Sequence, residues 1–161
     1  MAEKVLVGMS GGVDSSVCAL LLKEKGYDVT GVTLLLRNKL NNNTPCGSQS
    51  DVDDAKAICD KLGIGHITID MSQLFNEKVV DDFVNTYISG KTPNPCIECN
   101  RYIKFDKMLE KAIELGFDYI ATGHYATILE LPNGRYTIKK PSDISKDQTY
   151  VLYRLTQEQL K

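Results

Sequence analysis

The sequence predicts an α/β domain with a doubly wound, mostly parallel sheet, helices on both faces and a C-terminal β-hairpin. Three observations lead there. Short β-branched or apolar runs alternate with segments whose apolar residues recur at helical spacing, the pattern of parallel strands joined by helical crossovers. The 161 residues are enough for about one domain, and 42% hydrophobic against 25% charged residues suits a single core and excludes disordered and fibrous classes. An Asn-Gly step between two β-branched runs supplies the hairpin.

Val5 to Met9 is a short apolar run leading into Ser10-Gly11-Gly12, a buried strand entering a glycine turn. Val13, Val17, Leu20 and Leu21 then recur as the buried face of a helix that Gly26 stops. Val29 to Leu36 reads as a second buried strand, and Arg37 to Ser50, with Asn41-Asn42-Asn43 and Thr44-Pro45, as a long polar loop of the kind that is often functional. A helix from Asp51 to Leu62 turns Val52, Ala55, Ile58, Cys59 and Leu62 to one side, and His66 to Asp70 forms the third strand. The next helix runs from Gln73 to about Ser89 with Leu74, Val79, Phe83 and Tyr87 along it, and residues 90–95 break it. Ile103 to Leu115 is helical, Asp118 to Thr122 is the fourth strand, and Thr127–Leu131 pairs with Arg135–Lys139 across Asn133-Gly134. Lys146 to Leu155 is expected to be helical. Thr156 with Gln159 resembles a capping box opening one more helix, so close to Lys161 that the chain is expected to be the front part of something longer.

Several function classes fall away on composition. No apolar run approaches the ~18 residues of a membrane span, and Met1-Ala2-Glu3-Lys4 does not open a secretory signal. Five cysteines without such a signal point to a reducing, cytoplasmic setting. The net charge of −2 is not that of a general nucleic-acid coat protein. Charge is uneven, however: residues 51–82 carry a local net of −5, while residues 91–111 and 135–148 carry +2 each. The basic strings are expected to face any nucleic acid and the acidic segment to face away.

In parallel sheets of this kind ligands sit beyond the carboxyl ends of the strands. Strand one ends there at Ser10-Gly11-Gly12, strand two at the polar loop and strand four at Gly123-His124, so these belong to one crevice. In Ser10-Gly11-Gly12-Val13-Asp14-Ser15-Ser16 the glycines let backbone N–H groups approach an anion. The helix start adds unpaired N–H donors and a positive dipole end, and three serine hydroxyls add further donors. Asp14 would repel bare phosphate but could help hold Mg²⁺ or orient the loop. A valine at Gly11 or Gly12 is expected to remove phosphate binding with little loss of folding. The string is neither a Walker loop nor Gly-x-Gly-x-x-Gly.

Ser-Gly-Gly-Val-Asp-Ser-Ser resembles the pyrophosphate loop of the ATP pyrophosphatase superfamily, which splits ATP between its α- and β-phosphates and adenylates a carbonyl oxygen. A narrower resemblance lies in Asn94-Pro95-Cys96-Ile97-Glu98-Cys99-Asn100 and the residues around it, Thr122-Gly123-His124-Tyr125-Ala126, and Lys146-Asp147-Gln148-Thr149-Tyr150. With these in order from Lys4 to Lys161, the chain is similar to the bacterial tRNA-specific 2-thiouridylase family. The resemblance implies a Rossmann-like, adenine nucleotide alpha hydrolase-like catalytic domain over residues 1–161, without the family's tRNA-binding and C-terminal barrel domains. It implies ATP-dependent adenylation of the C2 oxygen of the wobble uridine, then sulfur transfer from a cysteine persulfide loaded by a sulfur carrier or cysteine desulfurase relay.

The same resemblance assigns residues. Cys99 falls at the nucleophile and Cys96 at a position often held by Asp. Gly8, Met9, Ser10, Gly11, Gly12, Val13, Asp14, Ser15 and Ser16 would bind ATP with Mg²⁺, together with Leu34 and Gly123. Asn94, Pro95, Cys96 and His124 would flank the target base, and Lys146, Asp147 and Gln148 would touch tRNA. Cys99 is expected just before a helix, with Arg101 and Lys104 close by to favour thiolate. The family's second cysteine lies beyond residue 161. A Cys-x-x-Cys can instead be half a zinc or iron–sulfur site. Cys18 and Cys59 are expected in the core, which leaves Cys46 as the third thiol, while His66 is expected to be structural. An iron–sulfur tRNA thiolase, an amidating synthetase of the same superfamily and an isolated ATP-binding module stay as alternatives.

Overall fold

In a computed structural model, which describes residues 2–37 and 47–161, four parallel strands lie in the order β3-β2-β1-β4. They are β1 (Lys4–Gly8), β2 (Asp28–Leu35), β3 (Gly65–Asp70) and β4 (Tyr119–Thr122). Alternation along β1 builds the two layers. Val5 and Val7 pack with Ala19 of α1 (Val13–Glu24) and with Ala55 and Cys59 of α2 (Gln49–Leu62). Leu6 points the other way, to Val32, Met108 and Ala112. The doubly wound parallel sheet is therefore as the strand pattern predicts, and β5 (Thr127–Glu130) and β6 (Tyr136–Lys139) form the antiparallel hairpin.

The buried face of α1 is not the predicted one. Val13 is 77% exposed and Val17, Leu20 and Leu21 also face outward, while Ser15, Cys18, Ala19 and Leu22 turn to the sheet. Small side chains on that face let the helix axis come close to the strands. Ser48 caps α2 through a reciprocal box with Asp51.

After β3 the chain enters α3 (Ser72–Phe75), widens into a π-helical stretch at Asn76–Val80, and continues as α4 (Asp81–Ile88). Val79 is buried, but Phe83 and Tyr87 are exposed and meet edge to face at 4.9 Å. The next helix begins well before Ile103. Asn94 accepts hydrogen bonds from the N–H groups of Cys96 and Ile97, Pro95 takes the first helical position, and α5 (Pro95–Glu98) opens there. It runs through a second π-helical stretch, Cys99–Lys107, into α6 (Met108–Glu114). Cys99 thus lies one turn inside a helix and is 8% exposed; the helix-start argument for its thiolate does not apply.

Lys146–Leu155 is not one helix. Short 3₁₀ turns occupy Ile144–Lys146 and Thr149–Val151. The Asp147 carboxylate accepts from the Thr149 N–H at 2.9 Å and its hydroxyl at 2.7 Å, restarting the chain locally in place of a continuous ladder. Val151 and Leu152 still reach Phe105 in a small cluster. The predicted capping box at Thr156 opens α7 (Gln157–Leu160).

Candidate functional site

The carboxyl ends of β1, β2 and β4 open into a cavity of about 440 Å³ whose lining also includes Pro95, Cys96, Cys99, Asn100, Ile103, Lys104 and Met108 of the helical segment from α5 into α6. It gathers Gly8, Met9, Ser10, Asp14, Ser15, Leu34, Pro95, Cys96, Cys99, Gly123, His124 and Gln148 from among the predicted residues. Gly11, Gly12, Val13, Ser16, Asn94, Lys146 and Asp147 lie outside its lining.

The loop between β1 and α1 is held by its own backbone. Gly11 has φ +75°, and a Cβ there would stand 2.7 Å from the Asp54 Cβ, so this glycine is needed by the fold. Gly12 has ordinary φ and only the Ser10 hydroxyl 3.4 Å from a hypothetical Cβ. A valine at Gly11 therefore costs folding, contrary to the expectation for both glycines, while Gly12 alone has room. Gly12 also caps α1 with no side-chain hydrogen bond to the first N–H groups, which leaves them for an anion. The serine hydroxyls are mostly committed. Those of Ser15 and Ser16 donate to the Gly12 carbonyl at 3.1 and 2.7 Å, and Ser15 Oγ accepts from the Ser10 N–H at 3.3 Å.

Two other contacts fix this loop. Thr33, buried on β2, donates to the Met9 carbonyl at 3.1 Å and pairs with His66 Nε2 at 2.9 Å. With its proton on Met9, Thr33 must accept from His66, which sets that ring's tautomer and gives it the structural role expected. Gly123, just past β4, is pressed against α1: a Cβ there would lie 2.8 Å from both the Asp14 carbonyl carbon and the Ser15 nitrogen. The Tyr125 hydroxyl donates to the Asp14 carboxylate at 2.8 Å. Tyr125 is bound in turn to Gln148, whose Oε1 accepts from the Tyr125 N–H at 2.9 Å and whose backbone N–H reaches the Tyr125 carbonyl at 3.2 Å.

His124 reaches the cavity with Nδ1 2.8 Å from the Thr122 hydroxyl and its ring centroid 5.9 Å from that of Phe105. Burial pushes its pKa down to about 4, with the Lys104 charge adding to the effect, so the ring is neutral at pH 7. Glu98, outside the cavity lining, pairs with Arg154. Burial raises the Glu98 pKa, Asp82 adds to this and Arg101 opposes it.

The sequence reading missed Thr33, Asp51, Asn100 and Ile103, all on the cavity wall, while Lys104, expected close to Cys99, lies on it too. Asn100, Ile103 and Lys104 follow Cys96 by four, seven and eight positions, a helical stripe that was legible had the helix been started at Pro95. Asp51 corrects the expected charge layout, since the acidic segment begins inside the crevice and does not wholly face away. Among the described residues no three His, Cys, Asp or Glu side chains gather as a metal site. Cys46 lies outside the described residues.

Residues 3–161 match the family described as the tRNA methyl transferase HUP domain. The chain belongs to that family. The tRNA-specific 2-thiouridylase of Clostridium acetobutylicum is 54% identical over 165 residues, which takes in 100% of this chain and 46% of that protein. Those of Clostridioides difficile and Pelotomaculum thermopropionicum are 52% and 49% identical, with 46% and 45% of their lengths matched. This HUP domain thus spans about half the length of the curated relatives it matches, and its resemblance to the thiouridylases is borne out. A solved structure of a predicted subunit of tRNA methyltransferase from Methanocaldococcus jannaschii shares the fold, with TM-score 0.52 at 23% identity over 74% of this chain and 53% of that one. No helix among the described residues is long and apolar enough to cross a membrane.

Proposed function

We propose that this chain is the ATP-activating domain of a tRNA 2-thiouridylase, a cytoplasmic enzyme whose substrate is the wobble uridine. The observation that carries the reading is one cavity lined both by Ser10, Asp14 and Ser15 of the loop before α1 and by Cys96 and Cys99. An activated nucleotide and a sulfur nucleophile must meet at one carbon, and a shared cavity supports that reading.

The residues fit ATP. The uncapped start of α1 at Gly12 offers N–H groups to phosphate, and Leu34 offers an apolar surface for adenine. Mg²⁺ would sit among the phosphates with Asp14 as the adjacent carboxylate, and would neutralise the pyrophosphate leaving group. The C2 oxygen of the uridine attacks the α-phosphorus and pyrophosphate departs. The outer sulfur of the persulfide then attacks C2 and AMP departs. A thiolate attacks the inner sulfur, breaking the S–S bond to free 2-thiouridine and leaving a disulfide that a cellular thiol reductant reopens. Access to C2 requires the base to leave the anticodon stack, as in other pocket readers. Cys99 is the proposed nucleophile, with Cys96 at the mouth and His124 beside the base. Lys146, Asp147 and Gln148 are proposed to border tRNA, with Asp147 and Gln148 also ordering their own segment. The sulfur arrives from a carrier or desulfurase relay. Cys96 and Cys99 are two of the thiols an iron–sulfur cluster would need.

The test is the 2-thiouridine content of total tRNA from cells lacking the gene and regaining it, alongside tRNA-dependent AMP formation by the purified protein. Restored thiolation and AMP release are expected. Unchanged tRNA would point to another member of the superfamily.

A further inference from the structure

We propose that Asn100 reads the base presented to this cavity, pairing its side-chain carboxamide with the N3–H and O4 edge of a uracil. The inference rests on the functional reading above and deepens it. Asn100 is 3% exposed and lines the cavity. Its Oδ1 is the one buried side-chain polar atom among the described residues that has no hydrogen-bond partner. An acceptor withdrawn from water carries its full desolvation cost until a donor reaches it. Among the described residues it has no donor, and Asn100 itself stands on the wall of a cavity that a ligand can enter.

The position says which donor. Asn100 follows Cys99 directly and stands one turn beyond Cys96, on the cavity wall that these two cysteines also line. The N3–O4 edge of uracil offers one donor and one acceptor. A carboxamide offers one acceptor and an N–H donor at matching separation, so two parallel hydrogen bonds form. That pairing uses N3–H and O4 and leaves the C2 oxygen, the atom to be adenylated, without a bond to Asn100. With Oδ1 facing N3, cytosine would set lone pair against lone pair and N–H against N–H. In that orientation Asn100 favours uracil, whereas the flipped carboxamide would donate to cytosine N3 and accept from its N4–H, so the U preference reads out which way the amide is held.

The assay compares two tRNA transcripts that differ only in U or C at the wobble position, binding to the protein expressed from its natural gene. ATP–Mg²⁺ affinity is measured alongside by calorimetry. The unsubstituted protein should favour U by about 5- to 150-fold, and Asn100→Ala should bring the two transcripts to within about twofold. ATP affinity should not move. Should the alanine variant fail to fold, Asn100→Ser, which keeps a polar atom at the buried position, should show the same loss of preference. Retained U preference in a folded variant overturns the assignment alone, and a loss of ATP affinity equal to the loss of tRNA binding overturns it in favour of a nucleotide-binding role. No U preference and no tRNA-dependent AMP in the unsubstituted protein would overturn the functional reading, and this assignment with it.

Discussion

Replacing Gly123 with alanine tests whether the Ser10–Ser16 loop, the proposed ATP site, is placed by close packing of α1 against the end of β4. The added Cβ would stand 2.8 Å from the Asp14 carbonyl carbon and the Ser15 nitrogen and 3.0 Å from the Asp14 oxygen. These are backbone atoms, so no side-chain rotation relieves the contact. Ordinary contact begins near 3.4 Å, and the helix start must therefore withdraw by about 0.6 Å, or the strand end must bend. Overpacking of this kind costs about 1–3 kcal/mol, and each kcal/mol lowers Tm by about 2–4 °C in a domain of this size. Calorimetric melting should show a fall of several degrees, and titration should show weaker ATP binding because the loop N–H groups move with α1. Gly12→Ala, whose Cβ meets only the Ser10 hydroxyl at 3.4 Å, serves as the control with an unchanged Tm. An unchanged Tm and ATP affinity in Gly123→Ala would refute the argument from close approach.

The two loop glycines should separate when each is changed to valine: Gly12→Val loses ATP binding in a titration and keeps its fold by circular dichroism, whereas Gly11→Val loses stability first. A folded Gly12→Val of full affinity would remove the loop from the nucleotide site. His124 makes stability depend on pH. Its pKa lies near 4 in the fold against 6.5 ordinarily, so the unfolded chain takes up a proton that the folded chain does not. The stabilisation, up to about 3 kcal/mol, is complete above pH 6.5 and lost as pH falls toward 4. Urea unfolding of His124→Gln at pH 7 and 4.5 should show that much less pH dependence, and equal dependence in both proteins would contradict the burial argument. Cys99→Ser should abolish 2-thiouridine in tRNA while leaving ATP binding intact, and Cys96→Asp should retain it. Loss in Cys96→Asp together with an iron-dependent absorption band would make Cys96 a cluster ligand.

The strands and the glycine loop were legible because their signals are local. Val5–Met9 is apolar on both faces, as a central parallel strand must be, and Ser10–Ser16 carries its geometry in its residue types. The face of α1 was not legible, because an apolar count favours Val13, Val17, Leu20 and Leu21, whereas the sheet selects by size. Ala19, fully buried, fits where leucine would hold the helix away. Lys146–Leu155 misled for the opposite reason. Its composition is helical, but the side chains of Asp143 and Asp147 each take the N–H two residues on and break the ladder. The cavity wall stayed hidden because its helix begins at Asn94-Pro95, which has the composition of a break but acts as a cap and a first turn.

That wall also explains why Cys96 and Cys99 differ so much in setting. Both π-helical stretches meet at the cavity, Asn76–Val80 contributing Val79 and Cys99–Lys107 contributing Cys99, Asn100, Ile103 and Lys104. A π turn admits more residues per turn than an α-helix and rotates the residues after it around the helix axis, which is one reason such turns recur at functional sites. Here the shift begins at Cys99. Cys96 stays exposed at the first turn, while Cys99 sinks among Leu36, Met71, Phe75, Val79 and Ile103. A thiol so placed is met by molecules that enter the cavity and not by reagents in bulk solvent. If Cys99 is the sulfur-transferring thiol, burial restricts its partners to the activated base and the arriving persulfide, because both must pass through the space that the ATP loop and Asn100 define. Iodoacetamide should therefore alkylate Cys96 well before Cys99 in the folded protein, and equal rates at the two thiols would show that Cys99 is open to solvent and that this shielding does not exist.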